Sequence, residues 1–76
     1  MEDLLSYLAK GLVDHPEEVS VESFEEDGAL VLELRVADDD TGKVIGRNGR
    51  TVNALRTVVR AASVKHGRRV LVDVVD

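Results

Sequence analysis

Seventy-six residues, no cysteine and a net charge of −5 set the first limits. A chain this short buries only roughly 60% of its unfolded surface, so its core is thin, and without cysteine there is no disulfide framework and no thiolate metal site. No apolar run approaches the roughly 18 residues of a membrane helix. The acidic start "MEDLLSYLAKGL" lacks the cationic head and small-residue cleavage site of a secretory signal. One soluble, cytoplasmic domain spanning residues 1–76 is expected.

The charge is unevenly spread. Residues 1–40 hold thirteen acids against Lys10 and Arg35, a net of −11, whereas residues 41–76 hold eight cations against Asp73 and Asp76, a net of +6. A chain polarised in this way can present a cationic face despite its acidic balance, or the two halves can interleave and cancel.

In chain order, Leu4, Leu5, Leu8, Leu12 and Val13 fall at helical spacing and predict an amphipathic helix over residues 2–13. "DHPEE" breaks it, because the residue before a proline is pushed away from helical angles. "VSVESF" alternates as a strand, and "EEDG" closes a hairpin turn. "ALVLELRVA" is the clearest strand, with Leu30, Leu32, Leu34 and Val36 on one face and Glu33 and Arg35 on the other. "DDDTGKVIG" reads as a short helix, with an aspartate capping its first amides and the others favoured by the helix dipole. "GRNG" interrupts. "RTVNALRTVVRAASVKH" is a long helix with Val52, Leu55, Val59 and Ala62 on one stripe, stopped by Gly67. "RRVLVDVVD" is the last strand. The order α-β-β-α-α-β predicts an α+β fold: a three-stranded mixed sheet covered on one face by three helices. The first two strands form an antiparallel pair. The last, reached through two helices, lies parallel to its neighbour by a right-handed crossover.

"GRNG" must reverse the chain in four residues between two helical segments. Gly46 and Gly49 can take positive φ and allow another backbone to come close. Gly49 leads directly into the long helix, whose first amides lack intrahelical partners and whose dipole is positive there. Arg47 sits on the turn, and Lys43 and Arg50 flank it. Taken alone, a G-x-x-G of this kind is equally a plain helix–turn–helix corner with surface cations.

Two additions narrow the choice: "KVI" on the preceding helix, and the strand–helix–turn–helix–strand frame. "GKVIGRNGRT" resembles the V-I-G-x-x-G core of the KH domain, a module that binds single-stranded nucleic acid. The element order resembles its type II, bacterial form. The length, "LVDHPEEV", "GKVIGRNGRTVNALRTVVRAA" and the ending "VDVVD" are similar to the small bacterial single-KH RNA-binding proteins. That resemblance covers the whole chain and implies a mechanism. Gly46, Arg47, Asn48 and Gly49 clamp the backbone of about four nucleotides while bases lie over an apolar groove. Ile45 then forms the floor beside the clamp, and Lys43 and Arg50 add charge. Asn48 is neutral, and the only aromatics, Tyr7 and Phe24, are distant in sequence. Weak, sequence-tolerant binding by one copy is therefore expected. The resemblance also implies an RNA chaperone or post-transcriptional regulator without catalysis, and a homodimer or a heterodimer with another KH-containing RNA-binding protein. The alternative is an interaction module that dimerises and recruits a larger RNA-binding partner.

Other motifs fail. A P-loop needs G-x-x-x-x-G-K-[ST], and no lysine–serine or lysine–threonine pair follows Gly49. No glycine sits two before Gly46 for a dinucleotide fingerprint. Asp38, Asp39 and Asp40 lack a matching oxygen-ligand loop for a metal, and His15 and His66 read as solvent-facing. No catalytic residue, metal site or cofactor is expected. Finally, Ala54, Val58 and Ala61 form a second stripe on the long helix, rotated roughly 110° from the first. It is either a wide buried face packed on the first helix or a dimer interface.

Overall fold

A computed structural model describes residues 1–75. Helix α1 (Glu2–Lys10) is followed by strands β1 (Ser20–Glu26) and β2 (Ala29–Arg35), helices α2 (Thr41–Ile45) and α3 (Arg50–Val64), and strand β3 (Val70–Val74). Short 3-10 turns occupy Pro16–Glu18, Asp38–Asp40 and Arg47–Gly49.

The sheet runs β1-β2-β3. β1 and β2 are antiparallel, with Ser23 opposite Leu32, and β2 and β3 are parallel, with Leu32 opposite Val72. β1 reaches Glu26, two residues beyond the "VSVESF" run, because the hairpin closes on Asp27 and Gly28 alone. Both have positive φ (52° and 82°), the two-residue turn that matches strand twist. The helices lie on one face. Leu32, Leu34, Val70 and Val72 meet Leu5 and Ala9 of α1, Val44 of α2, and Leu55 and Val59 of α3. Each side chain of this size taken out of water stabilises the fold by roughly 1.5–3 kcal/mol.

The other sheet face is open. The register aligns Phe24, Val31 and Leu71 in one cross-strand row and Glu22, Glu33 and Asp73 in the next. Phe24 and Leu71 stay about two-fifths exposed.

α1 stops at Lys10, three residues short of the predicted end. α3 ends at Val64 and β3 begins at Val70, so both keep their apolar stripes but are shorter than the predicted segments, which ran on to His66 and began at Arg68. The predicted last strand also takes in Asp76, which lies outside the described residues. The stripe buried under α3 continues through Ser63, whose hydroxyl donates to the Arg60 carbonyl at 2.8 Å, and Ala62 is only half-buried. Among the described residues, no helix is long and apolar enough to cross a membrane.

Candidate nucleic-acid interface

The turn between α2 and α3 is built on two glycines that are not equivalent. Gly46 has φ 76° and ψ 170°, a region open essentially to glycine alone. A Cβ there would lie 2.8 Å from the Thr51 Cβ and backbone N, and closer still to its hydroxyl. Gly49 is left-handed (φ 75°, ψ 13°), but its Cβ would meet nothing nearer than 3.7 Å. Asn48 is also left-handed (φ 57°), which asparagine tolerates better than most residues. No side chain caps α3. Arg47, Asn48 and Arg50 are exposed at this open helix end, and among the described residues neither arginine is in an ion pair. Ile45, 37% exposed, presents an apolar surface directly before the turn.

Lys43 is placed differently from the other cations. Its Nζ donates to Asp14 Oδ2 and, at 3.2 Å, to Asp40 Oδ1. The Asp14 and Asp40 carboxylates hold its ammonium above the usual lysine range. Its charge is compensated within the protein rather than turned to the loop.

Asp40 corrects a second expectation. It is fully buried and caps no helix. Its carboxylate instead accepts the backbone N–H groups of Asp14 (3.1 Å) and His15 (3.0 Å) in the segment after α1. Burial alone would raise this carboxyl, but the two N–H groups and the Lys43 ammonium outweigh it and hold it below the usual aspartate range. The "DDD" signal carried no trace of this tie, because its partners lie about 25 residues away.

A groove runs along α3 beyond the turn. Arg56 and Arg60 line a cavity of about 290 Å³ together with Val70, Leu71 and Val72 of β3. Arg56 is fixed there: its Nε donates to the Val72 carbonyl and its Nη1 to Asn53 Oδ1, both at 3.1 Å. The sequence reading did not single out Arg56. The neutral Asn53 three residues earlier was the only local hint of a held guanidinium.

The charge question of the two halves therefore has a mixed answer. Lys43 and Arg68 are cancelled, by Asp14 and Asp40 and by Glu25 respectively. Among the described residues Arg47, Arg50, Arg56 and Arg60 are in no ion pair; Arg47 and Arg50 flank Gly49, and Arg56 and Arg60 share one side of α3. The row Glu22, Glu33, Asp73 is on the opposite sheet face. Phe24 is on that face too, and Tyr7, 76% exposed, is on α1, so neither aromatic adjoins the turn.

Ala54, Val58 and Ala61 are all exposed, Val58 by 45%. The stripe is not buried against α1. It borders an apolar groove of about 250 Å³ between α1 and α3, lined by Leu8, Leu12, Thr51, Ala54, Leu55 and Val58. At 100° per residue, this stripe is on the other side of α3 from Arg56 and Arg60. His15, Glu17 and Glu18 bring ligand atoms within 4.8 Å of one another on an exposed 3-10 turn, with His15 Nδ1 3.8 Å from Glu17.

A three-stranded mixed sheet with helices on one face, and a G-x-x-G turn joining two of those helices below a parallel strand pair, define a type II KH domain. The family model described as KhpA/KhpB, KH domain matches residues 2–74. The chain belongs to that family. It is 48% identical over 75 residues to the "RNA-binding protein KhpA" of Clostridium acetobutylicum, covering 99% of this chain and 100% of the relative. It is 55% identical over 76 residues to the protein of the same name from Streptomyces coelicolor, covering 100% and 92%. Among solved structures, Era of Aquifex aeolicus aligns at a TM-score of 0.68 with 20% identity, over 96% of this chain and 28% of Era. At that identity the likeness speaks for the fold alone.

Proposed function

We propose that this chain is a single KH unit that binds single-stranded RNA without catalysis. The observation that carries this reading is the exposed Gly46–Gly49 turn, with Arg47 and Arg50, in no ion pair among the described residues, beside the uncapped start of α3. Amides and dipole there favour phosphate. Gly46 and Gly49 let a sugar–phosphate backbone approach, Asn48 can donate to it, and Ile45 supplies an apolar seat for the adjacent base. Lys43 is assigned to holding the loop after α1 rather than to the RNA. The named relatives, RNA-binding proteins all, point the same way. The role that fits a short backbone clamp is that of an RNA chaperone or post-transcriptional regulator in the cytoplasm.

One clamp engages about four nucleotides, so useful affinity calls for two. The exposed Ala54, Val58, Ala61 stripe supports a dimer, either of two copies or with another KH-containing RNA-binding protein. Val58 and Ala61 lie nine and twelve residues past Gly49, roughly 13 and 18 Å along α3, so contact through that end leaves both clamps open to one RNA, and avidity rises without new contacts. The same stripe also favours a second reading, in which the chain chiefly dimerises and recruits a larger partner.

Salt titration of RNA binding separates the two. About three phosphate contacts, from Arg47, Arg50 and Arg60, give a log–log slope near −2 at roughly −0.7 per contact on single strands. A slope near zero contradicts the phosphate-led reading and leaves the interaction module.

A further inference from the structure

β3 is an edge strand, and its backbone polarity is fixed by its pairing with β2. The Leu30 N–H donates to the Arg69 carbonyl and the Val75 N–H to the Leu34 carbonyl, each at 2.9 Å. In a parallel ladder the N–H and C=O of one residue point the same way. The odd-numbered residues of β3 therefore face β2, and Val70, Val72 and Val74 direct their backbone groups outward. The Val72 carbonyl is the one that Arg56 Nε covers.

Arg56 is thus half-buried, planar and tied at two points, to the sheet edge and to Asn53. A guanidinium has five N–H donors and no acceptor. Two are used. One hydrogen on Nη1 and both on Nη2 remain, and among the described residues nothing accepts them. They border the cavity between α3 and β3, whose other walls are the apolar Val70, Leu71 and Val72 and the second cation, Arg60. Arg56 lies six residues beyond Arg50, roughly 9 Å along the helix. A strand held at the turn reaches it within one or two nucleotides.

The geometry points to Arg56 as a base-reading residue that selects guanine. This rests on the RNA-binding reading above. The slot offers the edge of β3, with Leu71 as its exposed apolar side chain, and an oriented set of donors. Guanine presents two acceptors, O6 and N7, on one edge, which is why paired arginine donors favour it. Adenine keeps N7 but places its amino donor where O6 would be, against a wall of donors. On the corresponding edge cytosine presents only its amino donor, and uracil one acceptor in place of two. Because Asn53 and the Val72 carbonyl already hold the guanidinium, little of its freedom is left to lose on binding.

The test uses the full chain and fluorescence anisotropy at low salt with eight-nucleotide RNAs of equal length and charge: all-adenosine, and the same strand with guanosine at two adjacent central positions. The guanosine strand is expected to bind about tenfold more tightly. Inosine, which keeps O6 and N7, should match guanosine, and 7-deazaguanosine, which lacks N7, should fall towards adenosine. In Arg56→Lys, where a flexible ammonium replaces the held planar fork, the guanosine-to-adenosine ratio should fall severalfold. Equal affinity of the parent for guanosine and adenosine strands, or undiminished binding of 7-deazaguanosine, overturns the assignment and makes Arg56 a phosphate contact. If Arg56→Lys does not fold, the nucleoside series on the parent decides alone. Failure to bind any of the strands at low salt overturns the RNA reading, and this inference with it.

Discussion

Asp40 accepts the His15 backbone N–H at 3.0 Å, across 25 residues of chain. That bond, with its twin to Asp14, fastens the segment between α1 and β1 to the start of α2. Lys43 completes the tie from the next turn. The Gly46–Gly49 turn therefore follows a helix of only five residues that is itself moored by a buried carboxylate.

The mooring should be pH-dependent. Asp40 has a lowered carboxyl, so its contribution is complete above the ordinary aspartate value of about 3.9 and is lost as pH falls through the lower folded value. Lys43 has a raised ammonium, so its contribution is complete below the ordinary lysine value of about 10.4 and is lost as pH rises through the higher folded value. Asp40→Asn should lower the melting temperature at pH 7 by about 5 °C or more, since an amide oxygen accepts only in part where two oxygens accepted before. Thermal melts from pH 7 down to pH 3 check this. The gap between parent and variant should close in acid, and a gap that stays constant would mean that charge at Asp40 is irrelevant.

The two glycines of the turn should respond unequally. Gly49→Ala meets only the backbone cost of a left-handed residue, about 1–2 kcal/mol. Gly46→Ala adds a collision with Thr51 in a conformation that alanine essentially does not adopt. Denaturant unfolding should rank Gly46→Ala clearly below Gly49→Ala. Equal losses would show that the turn relaxes around Thr51.

Val58→Glu tests the exposed stripe. Val58 is outside the core, so the variant should fold with nearly the parent's melting temperature. A carboxylate buried unpaired in an interface should weaken self-association at least about tenfold. Sedimentation across micromolar concentrations reads it directly. A parent chain that is monomeric at high micromolar concentration removes the homodimer, and pairing with a KH-containing partner must then be sought separately.

Much of the architecture is local and could be read from the sequence. The alternation of Leu30, Leu32 and Leu34, the Val52, Leu55, Val59 stripe, and glycines bracketing "RN" between two helical runs each follow from one element's own periodicity or turn chemistry. The misreadings came from contacts between elements. "DDD" has the local signature of a helix cap, but buried Asp40 faces backbone amides from another loop. Lys43 reads as a cation beside the turn, and its ion pair with Asp14, 29 residues away, has no local signal. Arg56 falls in a helix-surface position, and only the edge of β3 makes it a held group. The stripe of Ala54, Val58 and Ala61 was undecided because exposure depends on how wide a face α1 covers. α1 ends at Lys10, and its last turn leaves that side of α3 open.

The most direct measurement of the central claim is the RNA affinity of Arg47→Asp combined with Asn48→Asp, set against the parent on one single-stranded RNA. Both side chains are exposed, so circular dichroism and the melting temperature should match the parent closely. Two carboxylates facing phosphate should reduce affinity at least about tenfold at low salt and flatten the salt slope by roughly 0.7, one contact's worth. A folded double variant that binds RNA as tightly as the parent, with the same slope, would contradict the account, because the Gly46–Gly49 turn would then not be the clamp.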